Sequence, residues 1–242
     1  MIYLALGFAP GIYWLWFFYR KDRWEPEPKK LILKSYLLGI VVALVILFLI
    51  SPFKINFMLS AIIIAPIIEE TGKFLVVRLF FYSHKEFDEP IDGIIYASAV
   101  ALGFASIENA IYLFRINDLS SSMIYQVLLI RSLLSVPGHA LFSSFWGYAL
   151  AKAKFRSLKN KNLTIFAGLL VGIFFHSVFN LLCYVKIYSN IALLFLIGFL
   201  WIILNLRVDR ALDQSKYNQL RTNLGISLRR LIMYKRDKDE KM

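Results

Sequence analysis

The sequence predicts an all-α fold: a polytopic transmembrane helix bundle of about seven spans, with the N-terminus outside and the C-terminus cytoplasmic. Three observations carry this prediction. Hydrophobic residues make up 59% of the 242 residues, and mean hydropathy is +0.62. The apolar residues are gathered into repeated runs near the roughly 20 residues that cross a bilayer, whereas a soluble domain of this size would carry a polar shell. The basic residues behind the net charge of +12 sit in a few loops and in the tail. That placement suits an anionic cytoplasmic leaflet and argues against nucleic acid as a partner.

The first run, about Ile2 to Tyr19, lacks a basic leading segment and an obvious cleavage site, so it is expected to be a retained span and not a removed signal peptide. The loop RKDRWEPEPKK follows, and its prolines stop any helix. The second run, about Leu31 to Ile50, is interrupted only by Lys34, which can snorkel. A short turn at Ser51, Pro52 and Lys54 leads to the third run, about Ile55 to Tyr82, where Pro66 predicts a local kink. The fourth, about Ile91 to Phe114, carries Gly93, Ala97, Ala101 and Ala105 at four-residue spacing, a small-residue stripe for close helix packing.

The fifth run, about Met123 to Ala151, exceeds one untilted span, and Pro137-Gly138 predicts tilt, a break, or both. The sixth covers about Leu163 to Val185, and the seventh, after a turn at Ser189 and Asn190, about Ile191 to Leu206. Lys and Arg crowd the loops after spans 1 and 5 and the tail, which fixes the predicted orientation. The expected organisation is an integral membrane domain over residues 1–206, its core at 55–185, and a basic cytoplasmic tail over 207–242 that suits an interfacial amphipathic helix. Cys183 is the only cysteine. An intramolecular disulfide and a cysteine metal cluster are excluded, and a small core residue is expected there.

Charges inside the apolar runs need a reason, because each ionised side chain at a helix centre costs about 2.5 to 3.5 kcal/mol. The third run holds Glu69, Glu70, Lys73 and Arg78. Glu69 and Lys73 lie four apart and can pair. Glu70 points about 100° away and has no in-helix cation at ideal spacing, the condition in which a carboxylate can serve as a general base. Arg78, near the span end, reads as a snorkelling residue, and His84 as a bland loop residue. Glu108 and Asn109 lie in span 4, His139 in span 5, and His176 with Asn180 on one face of span 6. Glu70, Glu108, His139 and His176 lie on four spans, and the two imidazoles with one of the carboxylates form a zinc-type ligand set with room for a water whose proton a remaining glutamate could take. No HExxH motif is present, so a metal is permitted and not demanded, and the same residues without metal could activate water through Glu and hold an oxyanion with His or Asn. A buried structural ion pair is the bland alternative for Lys73, and a satisfied core residue for either histidine alone.

These residues fall in an order that resembles the PrsW family of intramembrane proteases, relatives of the CAAX prenyl endopeptidases and bacteriocin-processing enzymes. EETGK places an EExxK motif on Glu69, Glu70 and Lys73, and FASIEN places FxxxEN on Phe104, Glu108 and Asn109. A histidine followed by a glycine eight residues on falls on His139 and Gly147, and HxxxN on His176 and Asn180. The resemblance covers roughly residues 60 to 185. It implies a multi-pass cell-membrane peptidase, usually described as a metalloprotease with a divalent metal such as zinc, that cuts a membrane-anchored protein; a single-span anti-sigma factor under envelope stress is the substrate it suggests. Glu69, Glu70, Glu108, His139, His176 and Asn180 are the expected catalytic residues, Lys73 and Asn109 their support, and Glu108, His139 and His176 the expected ligands. An ion-coupled transporter and a non-enzymatic membrane regulator are the alternatives. Many transporters carry internal repeats, and none is visible in this chain.

Overall fold

Helix starts and stops follow the local chemistry. The computed structural model describes residues 2–50, 57–185, 189–220, 222 and 224. Helix α1 (Ile2–Tyr19) ends before the proline-bearing loop, and α2 (Lys29–Ile50) begins directly after Pro28, whose carbonyl accepts from the Leu31 and Ile32 amides. Helix α3 is one continuous run with three parts: Phe57–Leu59, a π-helical turn at Ser60–Ile64, and Ala65–Phe80. Helix α4 is Asp92–Arg115. Helix α5 joins Ser121–Ile130, a second π-helical turn at Arg131–Ser135, and Val136–Phe155. Helices α6 (Lys161–Val185) and α7 (Ser189–Asp213) complete the bundle, and the described residues include no strand.

Six of these helices are long and apolar enough to cross a membrane. The exception is α3, whose charges set it apart. The loops show that it nevertheless runs the length of the bundle, because the connections after α1, α3, α5 and α7 meet at one end. Lys21 Nζ reaches Asn205 Oδ1 at 2.9 Å, and Lys154 Nζ donates to the Tyr82 and Phe87 carbonyls at 2.7 and 2.6 Å. Lys216 pairs with Asp88 at 2.6 Å, and Arg156 Nε donates to Gln214 Oε1 at 3.0 Å.

Both anticipated proline irregularities take the same form. Pro66 and Pro137 each follow a π-helical turn, so α3 and α5 stay continuous, and the break considered at Pro137-Gly138 is absent. A proline removes one amide and its ring crowds the preceding turn, and widening that turn relieves the crowding. The carbonyl that loses its amide then needs another donor. In the π register these carbonyls are Ala61 and Ser132. Asn180 Nδ2 of α6 donates to Ala61 O at 2.8 Å, and Trp14 Nε1 of α1 donates to Ser132 O at 2.8 Å. A neighbouring helix thus repairs each proline site.

Helix α4 is the buried axis. The small-residue stripe predicted on it is where α5 approaches: a Cβ on Gly93 would lie 2.2 Å from the Gly147 carbonyl oxygen, and one on Gly147 2.3 Å from the Gly93 oxygen. Gly147 is therefore a packing residue. Against expectation, Cys183 is exposed on α6, and it borders a cavity. Helix α7 begins at Ser189, where a turn was expected, and passes the expected boundary at residue 206 to end at Asp213. The turn at Ser51, Pro52 and Lys54 and the tail from residue 225 lie outside the described residues. At the loop end of the bundle, Asp22, Glu27, Glu89 and Asp92 are all buried. Burial, reinforced by the Glu89 charge, pushes the Asp22 carboxyl up to about 7, and burial pushes Glu27 up to about 8.

Candidate active site

Helix α3 carries the centre of the site. One α-helical turn beyond Pro66, Glu69, Glu70 and Lys73 face inward. Glu70 is fully enclosed. Its carboxylate accepts from Lys73 Nζ at 2.6 Å, Ser143 Oγ at 2.7 Å and Trp146 Nε1 at 2.9 Å, and meets His176 Nδ1 at 3.1 Å. The expectation that Glu70 lacks an in-helix cation does not hold. Lys73, three residues on, prefers it over Glu69, which stands 3.8 Å away. An i,i+3 pair is as much a neighbour on a helix as i,i+4, and the donors from α5 and α6 settle which carboxylate is closed in.

The histidines are held from behind. Lys73 Nζ lies 3.2 Å from His139 Nδ1, so Nδ1 accepts and Nε2 carries the proton that meets Glu108 Oε2 at 3.0 Å. Arg131, presented by the π-helical turn of α5, fixes the next layer: it donates to Glu108 Oε1 at 3.0 Å and to Asn109 Oδ1 at 2.8 Å. Asn109 in turn donates to the Gly7 carbonyl of α1 at 3.2 Å. Phe142 stacks on the His176 ring, and the two imidazoles lie 5.0 Å apart, centre to centre.

Glu69 is bound differently. Its Oε2 is buried with no hydrogen-bond partner among the described residues, 3.8 Å from His176 Nε2 and 4.0 Å from His139 Nδ1. Two cavities, of about 290 and 310 Å³, meet at Glu69 and Glu108, which line both. His139, His176, Arg131 and Asn180 face the first of them. Spaces of this size admit water where polar groups line them.

A metal would find donors here, although not quite the predicted set. One ligand atom each from Glu69, His139 and His176 lie within 4.8 Å of one another, while Glu108 is engaged with His139 Nε2 and Arg131. The orphaned Glu69 oxygen and the carboxylates behind both imidazoles are the arrangement that metal-binding histidines use. Lys73, on the Nδ1 lone pair of His139, would have to withdraw toward Glu70 for a cation to enter.

Glu69, Glu70, Lys73, Glu108, Asn109, His139 and His176, proposed from the sequence, thus form one network. Asn180 borders the cavity, but its amide serves the Ala61 carbonyl and not the His176 ring. Arg78 lies outside the network, exposed and over the Tyr82 ring, and His84 accepts from the Glu86 amide in its loop. Three partners went unassigned in the sequence reading: Arg131, Ser143 and Trp146. Ser143 and Trp146 stand four and seven residues beyond His139, on the same helix face, a signal that could have marked them.

The chain matches the PrsW family of intramembrane metalloproteases over residues 27–206. It is 36% identical to Protease PrsW of Geobacillus kaustophilus (strain HTA426) over 188 residues, 76% of this chain and 80% of the relative. It is 35% identical to Protease PrsW of Oceanobacillus iheyensis (strain DSM 14371 / CIP 107618 / JCM 11309 / KCTC 3954 / HTE831) over 223 residues, 89% and 98% of the two chains. For Protease PrsW of Bacillus subtilis (strain 168) the identity is 32% over 187 residues, 73% and 80%. No solved structure matches the chain. Charged side chains brought together between apolar helices, and relatives that share most of this length, lead to one assignment: the chain belongs to the PrsW family and is a multi-pass intramembrane protease of the cell membrane.

Proposed function

We propose that the protease hydrolyses a peptide bond of a membrane-anchored protein at the paired cavities, with Glu69 as the group that takes the proton of the attacking water. The observation that carries this reading is the contrast within the acidic pair. Glu70 has its oxygens filled by Lys73, Ser143, Trp146 and His176, whereas Glu69 lines both cavities and its Oε2 has no hydrogen-bond partner among the described residues, only Lys73 and the two histidines at 3.8 to 4.0 Å. Of the two glutamates that could activate water, Glu70 and Glu69, this contrast supports Glu69. Glu70 and Glu108 orient His176 and His139, and Arg131, which lines the first cavity, supplies positive charge for the oxyanion of the tetrahedral intermediate. Asn180 supports the site through the turn before Pro66.

Glu69, His139 and His176 are the residues that would hold a zinc-type cation. Such a cation would lower the pKa of a water and polarise the scissile carbonyl. The Lys73 contact at 3.2 Å on His139 Nδ1 favours a second reading, in which Glu69 and the fixed cations work without metal. The substrate suggested by the family resemblance is a single-span anti-sigma factor, and the orientation suggested by the basic loops is N-terminus outside.

The test is cleavage of a co-reconstituted single-span reporter by purified protein. Glu69→Gln should fold and fail to cleave. Undiminished cleavage would remove Glu69 from the chemistry. Metal content of active protein, with and without a chelator, separates the two readings of the site.

A further inference from the structure

The second concentration of buried acid lies at the loop end, far in sequence from the motif residues: Asp22 and Glu27 from the α1–α2 loop, Glu89 from the α3–α4 loop, and Asp92 at the start of α4. Each of the last three is anchored through one oxygen and offers the other. Glu27 accepts the Tyr96 hydroxyl, Glu89 accepts the Ser215 hydroxyl, and Asp92 Oδ2 accepts the Asp88 and Glu89 amides at 2.7 and 2.6 Å. Glu27 Oε1, Glu89 Oε2 and Asp92 Oδ1 have no hydrogen-bond partner among the described residues. Asp22 is the independent observation. The residue is only 3% exposed, neither oxygen makes a hydrogen bond of normal geometry among the described residues although the Glu25 and Glu27 backbone amides lie toward the carboxylate, and one oxygen points into the group.

One oxygen each from Asp22, Glu89 and Asp92 lie within 4.8 Å of one another. Oxygens around Ca²⁺ sit at about 2.3 to 2.6 Å, so any two ligands of one ion are at most about 5.2 Å apart, a limit these three oxygens meet. Mg²⁺ demands a near-ideal octahedron and usually keeps several waters, so a set of three or four protein carboxylates suits it less well. An all-oxygen set also suits hard cations over zinc. The two neighbouring lysines are occupied elsewhere, Lys154 with the Tyr82 and Phe87 carbonyls and Lys216 with Asp88. We propose that Asp22, Glu89 and Asp92, with Glu27 behind them, form a binding site for a hard divalent cation of calcium size. The bound ion ties the α1–α2 loop to the start of α4 and, through Glu89 and Ser215, to the segment after α7. This site is separate from the proposed metal donors between the helices, and the two use different chemistry.

The test uses full-length protein in detergent, stripped with a chelator and titrated with CaCl₂, MnCl₂, MgCl₂ or ZnCl₂ while calorimetry reads binding and thermal unfolding reads stability. Wild type should bind Ca²⁺ or Mn²⁺ saturably with a rise in Tm of about 5 °C, and Mg²⁺ more weakly. Binding should weaken at least about tenfold in Asp22→Asn and in Asp92→Asn, both close in shape to the native side chain, and should persist in Glu69→Gln. Absence of saturable binding to wild type overturns the proposal without recourse to any variant, because protons alone would then satisfy the carboxylates. So does binding that Glu69→Gln abolishes and Asp22→Asn leaves intact, which would place the ion between the helices.

Discussion

Between the helices, Glu70 is closed in among Lys73, Ser143, Trp146 and His176, whereas at the loop end Asp22, Glu89 and Asp92 turn oxygens toward one another with no lysine or arginine contact to balance them among the described residues. Both groups are buried and both are drawn from separate elements. The first is balanced by cations from the chain itself, Lys73 and Arg131, and removal of one member leaves an uncompensated charge. The second holds acids only, and replacing one of them by an amide relieves both their mutual repulsion and the cost of burying a carboxylate. The same type of substitution should therefore act in opposite directions in the two places. Glu69 stands between these cases: it sits in the balanced group yet keeps one oxygen unpartnered, and that is where chemistry is expected.

The largest effect expected from this contrast is on rate. Glu69→Gln should lower cleavage of a single-span reporter by about 10²- to 10⁴-fold, the usual worth of a positioned proton acceptor, with little change in unfolding temperature. Glu70→Gln should instead act on stability: breaking a buried pair costs about 3 to 5 kcal/mol, read as loss of folded protein on heating in detergent. If the two variants exchange these outcomes, the assignment of roles within the pair is reversed. Arg131→Lys should lower activity by about tenfold, because the shorter side chain loses the planar fork whose separate Nε and Nη2 donors reach Asn109 and Glu108; the split between kcat and KM would show whether binding or chemistry suffers. Asp22→Asn should raise the unfolding temperature in chelator by about 2 to 4 °C, opposite in sign to Glu70→Gln. The smallest effect belongs to the proline repairs. Trp14→Phe should cost about 1 to 2 kcal/mol by orphaning the Ser132 carbonyl, seen as a lower unfolding temperature with cleavage by the surviving folded protein intact.

The same contrast marks what could be read in the chain. Ionisable residues inside apolar runs are conspicuous because lipid makes them costly, so Glu69, Glu70, Lys73, Glu108, His139 and His176 stand out in the sequence itself. Their partners did not. A helix lists neighbours at three and four residues, but only donors from α5 and α6 decide that Lys73 turns to Glu70 and leaves Glu69 open. Arg131 was visible as a charge in a long apolar run, yet its aim depends on a π-helical turn that shifts the face it presents. Cys183 was expected inside from its apolar neighbours. In a membrane span such neighbours equally mark a surface, and the residue is exposed.

Composition and run length alone determined the membrane class, the helical fold, the approximate spans and the set of polar residues brought between them, because apolar periodicity and the cost of charge in lipid are local properties of the chain. The tertiary structure decided which glutamate is sealed and which lines a cavity, which side chains repair the prolines, and that four acidic residues from two distant stretches of sequence meet at the loop end. Those are relations between helices, fixed by close packing at Gly93 and Gly147 and by donors that lie far apart in the chain.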